Sequence, residues 1–184
     1  KAAENHILCL ERTARGDVIA GSGGHGLVYR IGADGRVAVL FETPYEEVRG
    51  LAVDREGQIY AAAAGTPIRA RKDDASDAPV RLDSDVTVTV SAAGGDARPA
   101  ATAPAAGGPG KDGGALYRIT PDGLAKRLWS SDDEMIYTLL WRESERRILF
   151  GTGGQGRIYA VDRDERVSLL LQQSSEQVYQ LVPL

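Results

Sequence analysis

The sequence predicts an all-β protein assembled from repeated four-stranded antiparallel units. Two observations carry that prediction. The first is self-similarity: residues 17–31 read DVIAGSGGHGLVYRI and residues 147–161 read RILFGTGGQGRIYAV. A third copy is split into QIYAAAAG at 58–65 and GALYRITPDG at 114–123. The second is a near-constant spacing. Gly24 precedes Gly65 by 41 residues, and Tyr117 precedes Tyr159 by 42. Gly65 to Gly154 spans 89, one period plus about 47 residues that fall between Gly65 and Gly114. Repetition at a fixed period decides the architecture before any single motif is read.

Each period holds four short apolar runs. The first is HILCL (6–10), VRGLAV (48–53) and MIYTLLW (135–141). The second is VIAGSG (18–23), IYAAAAG (59–65) and ILFGTGG (148–154). The third is LVYRI (27–31), ALYRI (115–119) and RIYAV (157–161). The fourth is RVAVLFE (36–42), AKRLWS (125–130) and RVSLLLQ (166–172). Runs of this length, rich in Val, Ile, Leu and Tyr and punctuated by Gly and Asp, read as strands. Asp34-Gly35 and Asp122-Gly123 predict tight type I′ hairpins, and the run Asp54 to Gly57 predicts a like turn between first and second strands. No segment keeps a helical stripe over two turns.

Four antiparallel strands per period is the blade of a β-propeller. Blade 1 covers about 5–43, blade 2 about 45–131 and blade 3 about 133–173, and EQVYQLVPL (176–184) reads as the first strand of a fourth. Three blades and a strand do not close a ring, since propellers typically hold at least four blades. Three readings stay open: part of a longer propeller, half of a ring made by two chains, or an array that self-associates through open blade edges. The start at Lys1 without Met and the apolar end favour the first.

Blade 2 carries an insertion, 66–112, between its second and third strands. Its TPIRARKDDASDAP is polar, its VRLDSDVTVTV alternates like a strand, and its AAGGDARPAATAPAAGGPGKDG is Ala/Gly/Pro-rich. The last stretch lacks the apolar residues to form a core. Long insertions into surface loops are tolerated because closure entropy grows only logarithmically with length. Such loops often carry function, as a lid or docking arm, and the VTVTV run suits strand addition.

Composition excludes several classes. The net charge of −4, with interspersed Lys, Arg, Asp and Glu, offers no basic stripe for nucleic acid. No apolar run reaches transmembrane length. Cys9 stands alone, so no disulfide framework is expected, and its place in an apolar strand suits a buried small hydrophobe.

GSGGHG (21–26) and GTGGQG (151–156) both fit the dinucleotide-binding pattern G-x-G-x-x-G. That pattern needs a helix behind it to hold the pyrophosphate. Strands follow here, at equivalent places in two repeats, so the glycines read as hairpin turns that allow positive φ and close packing. His6 and His25 are too far apart for a zinc site, and no acidic cluster has calcium-loop spacing. Ser22 and Thr152 lack a repeat-consistent His and Asp and read as strand-end residues rather than nucleophiles. Tyr29, Tyr117 and Tyr159 read as core between blades, and Trp129 and Trp141 as packing between blades or a cap. No cofactor is expected. The candidate partner face gathers His25 and Gln155, at equivalent turns, with Arg69 and Arg71 of the insertion.

Leu51-Ala-Val-Asp-Arg-Glu-Gly-Gln-Ile-Tyr60, Ala115-Leu-Tyr-Arg-Ile-Thr-Pro-Asp-Gly123 and Gly156-Arg-Ile-Tyr-Ala-Val161 resemble the blades of bacterial propellers of the NHL, SMP-30-like and two-component-regulator type. The resemblance covers everything but the insertion. It implies a bacterial, exported protein, periplasmic or secreted, and leads to a non-catalytic binding or scaffolding module for a protein or extended ligand. The alternative it implies is a metal-dependent hydrolase or lyase whose axial site is completed by missing blades or a second chain. Enzymes of that group use Glu, Asn and Asp ligands, whereas this chain has a single Asn, Asn5. It also lacks the Trp-Asp strand end of WD40 blades.

Overall fold

A computed structural model describes residues 6–67, 113–173 and 177–182. Among these residues there is no helix, and the chain forms three four-stranded antiparallel sheets with strands in sequence order. Blade 1 holds β1 (Ile7–Arg12), β2 (Val18–Ser22), β3 (Leu27–Ile31) and β4 (Val37–Glu42). Blade 2 holds β5 (Tyr45–Val53), β6 (Ile59–Pro67), β7 (Gly113–Ile119) and β8 (Ala125–Ser131). Blade 3 holds β9 (Ile136–Arg142), β10 (Arg147–Thr152), β11 (Arg157–Val161) and β12 (Val167–Gln172). These are the blades of the propeller architecture that the repeat predicted.

Blade 2 is the centre of the array, covered on both faces. On one side Ala61, Ala63, Ala115 and Tyr117 meet Ile19 and Val28 of blade 1. On the other, Tyr60, Ala62 and Leu116 meet Ile136, Ile148 and Phe150 of blade 3. Alternate side chains of a strand point to opposite faces, so a four-alanine run serves both cores. Ala61 to Ala64 are wholly buried. Tyr117 and Tyr159 lie in the seams as expected, whereas Tyr29 packs with Ala20, Leu27 and Ile31 on the face of blade 1 turned away from blade 2. Phe41 packs on Tyr117 with ring centres 5.1 Å apart, and Tyr159 stacks on Phe150 at 5.1 Å.

Every blade departs from strict alternation at the same two places. The innermost strands carry a register shift at Leu8, Arg49 and Tyr137. The outer strands carry one at Leu40, Leu128 and Leu170. A bulge puts two neighbouring side chains on one face. Leu40 and Phe41 therefore both cover blade 2, and Leu128 and Trp129 both cover blade 3. The equivalent pair in blade 3, Leu170 and Leu171, is 45% and 44% exposed.

The hairpins differ from the expected I′ form. Gly35 N–H donates to Gly32 O, and Gly32 N–H to Arg36 O. The same pair of bonds closes the turns at 13–17, 54–58, 120–124 and 162–166. Only the fourth residue has positive φ, as in Gly35 at 78° and Gly57 at 85°. This is a three-residue loop, a type I turn followed by a glycine bulge. Asp34 and Asp122 keep ordinary φ because the extra loop residue absorbs the twist. The side chains of Thr13, Asp54, Thr120 and Asp162 each accept the N–H four residues on, which fixes the turn. In blade 3 the positive-φ place is held by Glu165, at 61°.

Residues 177–182 follow the path of a next innermost strand. Gln177 bridges Gly153, and Val178 N–H donates to Thr152 O at 3.1 Å. A Cβ on Gly151 would lie 2.6 Å from Val178 Cγ1, just as one on Gly21 would lie 2.6 Å from Val48 Cγ1. Val178 thus sits on blade 3 as Val48 of β5 sits on blade 1. The segment makes a bridge rather than a full ladder.

Candidate functional site

Because every blade runs in the same sense, the loops sort onto two rims. One rim carries the turns after β2 and β10, the ends of β6 and β7 that flank the insertion, and the passages between blades. The other carries the tight hairpins.

On the insertion rim, His25 and Gln155 occupy equivalent exposed turns. Arg69 and Arg71 lie outside the described residues. The last pair of β6 and β7 is Gly65 and Gly113, so the insertion leaves and returns on this rim. The glycine pattern at 21–26 serves packing. A Cβ on Gly26, whose φ is +58°, would collide with the carbonyl oxygen of Tyr45, where the chain enters blade 2. Strands follow both glycine runs, so there is no helix end for a dinucleotide. Ser22 is wholly buried and its Oγ accepts from Leu27 N–H at 3.0 Å, a hairpin contact.

Beneath the Gln155 turn lies a buried polar cluster. Glu134 is 5% exposed. Its carboxylate accepts from Thr152 Oγ1 at 2.6 Å and from Arg157 Nη1 at 2.6 Å. The guanidinium also donates to Tyr159 Oη at 3.3 Å. A carboxylate held by a hydroxyl and a guanidinium is a positioning device: it ties the entry of blade 3 to β10 and β11. Blade 2 has Ala63 and Ala115 where blade 3 has Thr152 and Arg157, and its Glu46 is exposed. Among the described residues no three His, Cys, Asp or Glu side chains come together as metal ligands.

The tight-turn rim holds a cleft that sequence reasoning missed, about 190 Å³ in volume, between blades 2 and 3. Its floor is Tyr60 stacked on Trp141, with ring centres 5.2 Å apart and planes 17° apart. Ion pairs cross the seam: Arg118 to Glu165 at 2.6 Å, Lys126 to Glu165, and Arg146 to Glu56 at 2.5 Å. These partners lie in different blades and far apart in sequence, so no local pattern announces them. Lys126 and Arg118 hold the Glu165 carboxyl below its ordinary range. Burial pushes Asp54 up, and it pushes the Tyr60 phenol up to about 12. Cys9, between blades 1 and 2, has its thiol raised to about 12, chiefly by burial, and donates to Val48 O at 3.2 Å. It is inert packing, not a nucleophile.

No protein-family model and no curated protein sequence matches the chain. Solved structures do. The extracellular domain of the one-component system BT4673 from B. thetaiotaomicron superposes with a TM-score of 0.57 at 12% identity, over 97% of this chain and 19% of that one. A second structure of that domain, described as belonging to a hybrid two-component system, gives the same values. The likeness is one of fold, and the chain spans about a fifth of the length of those structures. No helix among the described residues is long and apolar enough to cross a membrane.

Proposed function

We propose that this chain is a non-catalytic binding module, with blades of the NHL, SMP-30-like or two-component-regulator kind, that engages a protein or extended ligand on its insertion rim. The observation that carries the reading is the gathering on one rim of both glycine turns, His25, Gln155 and both ends of the insertion, over a blade entry locked by Glu134. The rigid sheets position loops that are free to vary, the usual division of labour in binding folds. The structural neighbours, extracellular domains of signalling proteins, support a sensing or docking role outside the cytoplasm.

The test replaces 68–112 by a short Gly-Ser linker and changes His25 and Gln155 to Ala. Both chains are immobilised and exposed to envelope extract of the producing cell. The reading expects partners retained by the native chain and lost from the variant at equal folded content by circular dichroism. Equal retention by both sinks it.

A further inference from the structure

One interface is met twice inside the array and left unmet at its end among the described residues. In each outer strand the bulge turns two neighbouring side chains toward the next blade. Leu40 and Phe41 pack into the core between blades 1 and 2, where Phe41 meets Tyr117. Leu128 and Trp129 pack into the core between blades 2 and 3, where the Trp129 ring lies 5.1 Å from Phe150 and 5.7 Å from Tyr159. Leu170 and Leu171 hold the same positions in β12 and are 45% and 44% exposed. Their strand, VSLLLQ, has no charged residue, whereas β8 carries Lys126 and Arg127. Edge strands that stay open usually carry charge, and an uncharged apolar one invites a neighbour.

The first strand of that neighbour already lies on this face. Val178 sits over Gly151 as Val48 sits over Gly21, which puts 177–182 where the innermost strand of a following blade belongs. Leu181 N–H donates to Thr138 Oγ1 at 3.1 Å, and the Tyr179 ring stands 5.7 Å from Tyr137. In blades 1 to 3 every innermost strand pairs with a second strand. Among the described residues 177–182 has no such strand beside it, and its bridge to Gly153 joins it to blade 3.

This placement selects the occupant. Blade 1 of a second copy brings its own innermost strand: Ile7 pairs with Ser22 as Val48 pairs with Ala63, so Ile7 would need the place that Val178 fills. The face that blade 1 would have to offer, with Ala20, Leu27 and Tyr29, is itself buried. What fits is a set of three strands with no innermost strand of its own. The solved structures that share the fold extend well past the matched part, which is 19% of their chain.

We propose that the outer face of blade 3 carries a fourth blade of the same polypeptide, with 177–182 as its innermost strand. Three strands from outside residues 1–184 pair onto 177–182 and lay a large aromatic ring on Leu170 and Leu171, as Tyr117 and Tyr159 do in the two seams. The face is separate from the insertion rim, so its test stands apart from that of the partner face.

The test places a photoreactive phenylalanine analogue at Leu171 in the full-length protein as its own cell makes it, and maps the crosslinks by mass spectrometry. Crosslinks from 171 to the same polypeptide outside 1–184, at monomer mass on a denaturing gel, are the expected result. Leu169 is the control: it is 51% exposed but stands opposite Tyr159, on the face turned to blade 2. The analogue there is expected to crosslink within 1–184 only. Should the analogue at 171 prevent folding, position 170 takes its place. A crosslinked dimer would mean that a second copy covers the face, and an adduct of foreign mass that another protein does; either overturns the proposal. Crosslinks from 171 confined to 1–184, the same crosslinks from 169 as from 171, or none at all would overturn it as well.

Discussion

Gly21 is a point of close approach between blade 1 and blade 2, and Gly21→Ala measures how tightly the seam is packed. Its backbone has ordinary negative φ, so alanine fits the local conformation and gains about 0.4–1 kcal/mol through a less flexible unfolded chain. Against that gain, the new Cβ would lie 2.6 Å from both Cys9 Sγ and Val48 Cγ1, and 2.9 Å from Val48 Cβ. Carbon contacts are favourable at about 3.5–4.0 Å, so β1 and β5 must part by roughly 1 Å. Val48 is wholly buried and fixed by its own ladder, which leaves it nowhere to go. Overpacking of this kind costs about 1–3 kcal/mol, and the net expectation is a loss of about 1–2 kcal/mol. The equivalent Gly151→Ala meets Val178 at the same 2.6 Å and Thr138 Cγ2 at 2.9 Å, but Val178 rides on a segment held by one bridge, the bond from Leu181 N–H to Thr138 Oγ1 and the Tyr179–Tyr137 contact rather than by a full ladder, and it can yield. It is expected to cost less. Urea unfolding gives both numbers, and Val48→Ala in the Gly21→Ala background should recover part of the loss as a coupling energy. A neutral or stabilising Gly21→Ala, or a larger cost at Gly151, would refute the packing described for this seam.

Four further outcomes are expected. Glu134→Ala strands the Arg157 guanidinium and the buried Thr152 hydroxyl and should lower stability by about 1–3 kcal/mol, while Glu134→Gln, which keeps one acceptor, should lose less; thermal unfolding distinguishes them. Glu165→Gly relieves a left-handed residue by about 1 kcal/mol but removes two partly exposed ion pairs, so its stability relative to the native chain should rise with salt; a salt-independent difference would be wrong for this reading. Because Glu165 has a lowered folded pKa, its contribution is present above the ordinary glutamate range and is lost as pH falls through the folded value. Asp54 runs the other way, its raised pKa penalising the folded state once ionised. Asp54→Asn keeps the Oδ1 acceptor for Gln58, so it should match or exceed native stability at pH 7, the advantage fading below about pH 4. Cys9 should resist a thiol reagent at pH 8 in the folded chain and react freely in urea.

The strands were legible because each repeat copy corroborates the others. A four-alanine run alone is ambiguous, but IYAAAAG reads as a strand beside VIAGSG and ILFGTGG. The bulges were not legible. Leu40, Leu128 and Leu170 look like continuations of an alternating strand, and only the ladder shows that each turns to the same face as its aromatic or leucine neighbour. The hairpin type is not legible for a related reason: Asp-Gly fits several turns, and the bond from Gly32 to Arg36 that chooses among them depends on strand register. The partner rim could be suspected from His25 and Gln155, since turns at equivalent repeat positions share a side. The Glu134 cluster and the cleft depend on Thr152, Arg157, Trp141 and Glu165 meeting residues distant in the chain. Comparing repeats position by position would have flagged Tyr60 and Trp141, which replace aliphatic residues of the first seam.

The claim that the insertion rim is the binding side is tested most directly by site-specific photocrosslinking in the cell that makes the protein. A photoreactive phenylalanine analogue is placed at His25, at Gln155, and at Arg36 on the exposed tight-turn rim of blade 1. Adducts of one discrete mass from positions 25 and 155, with none from 36, are the expected result. Adducts from 36 alone, or from all three positions alike, would contradict it.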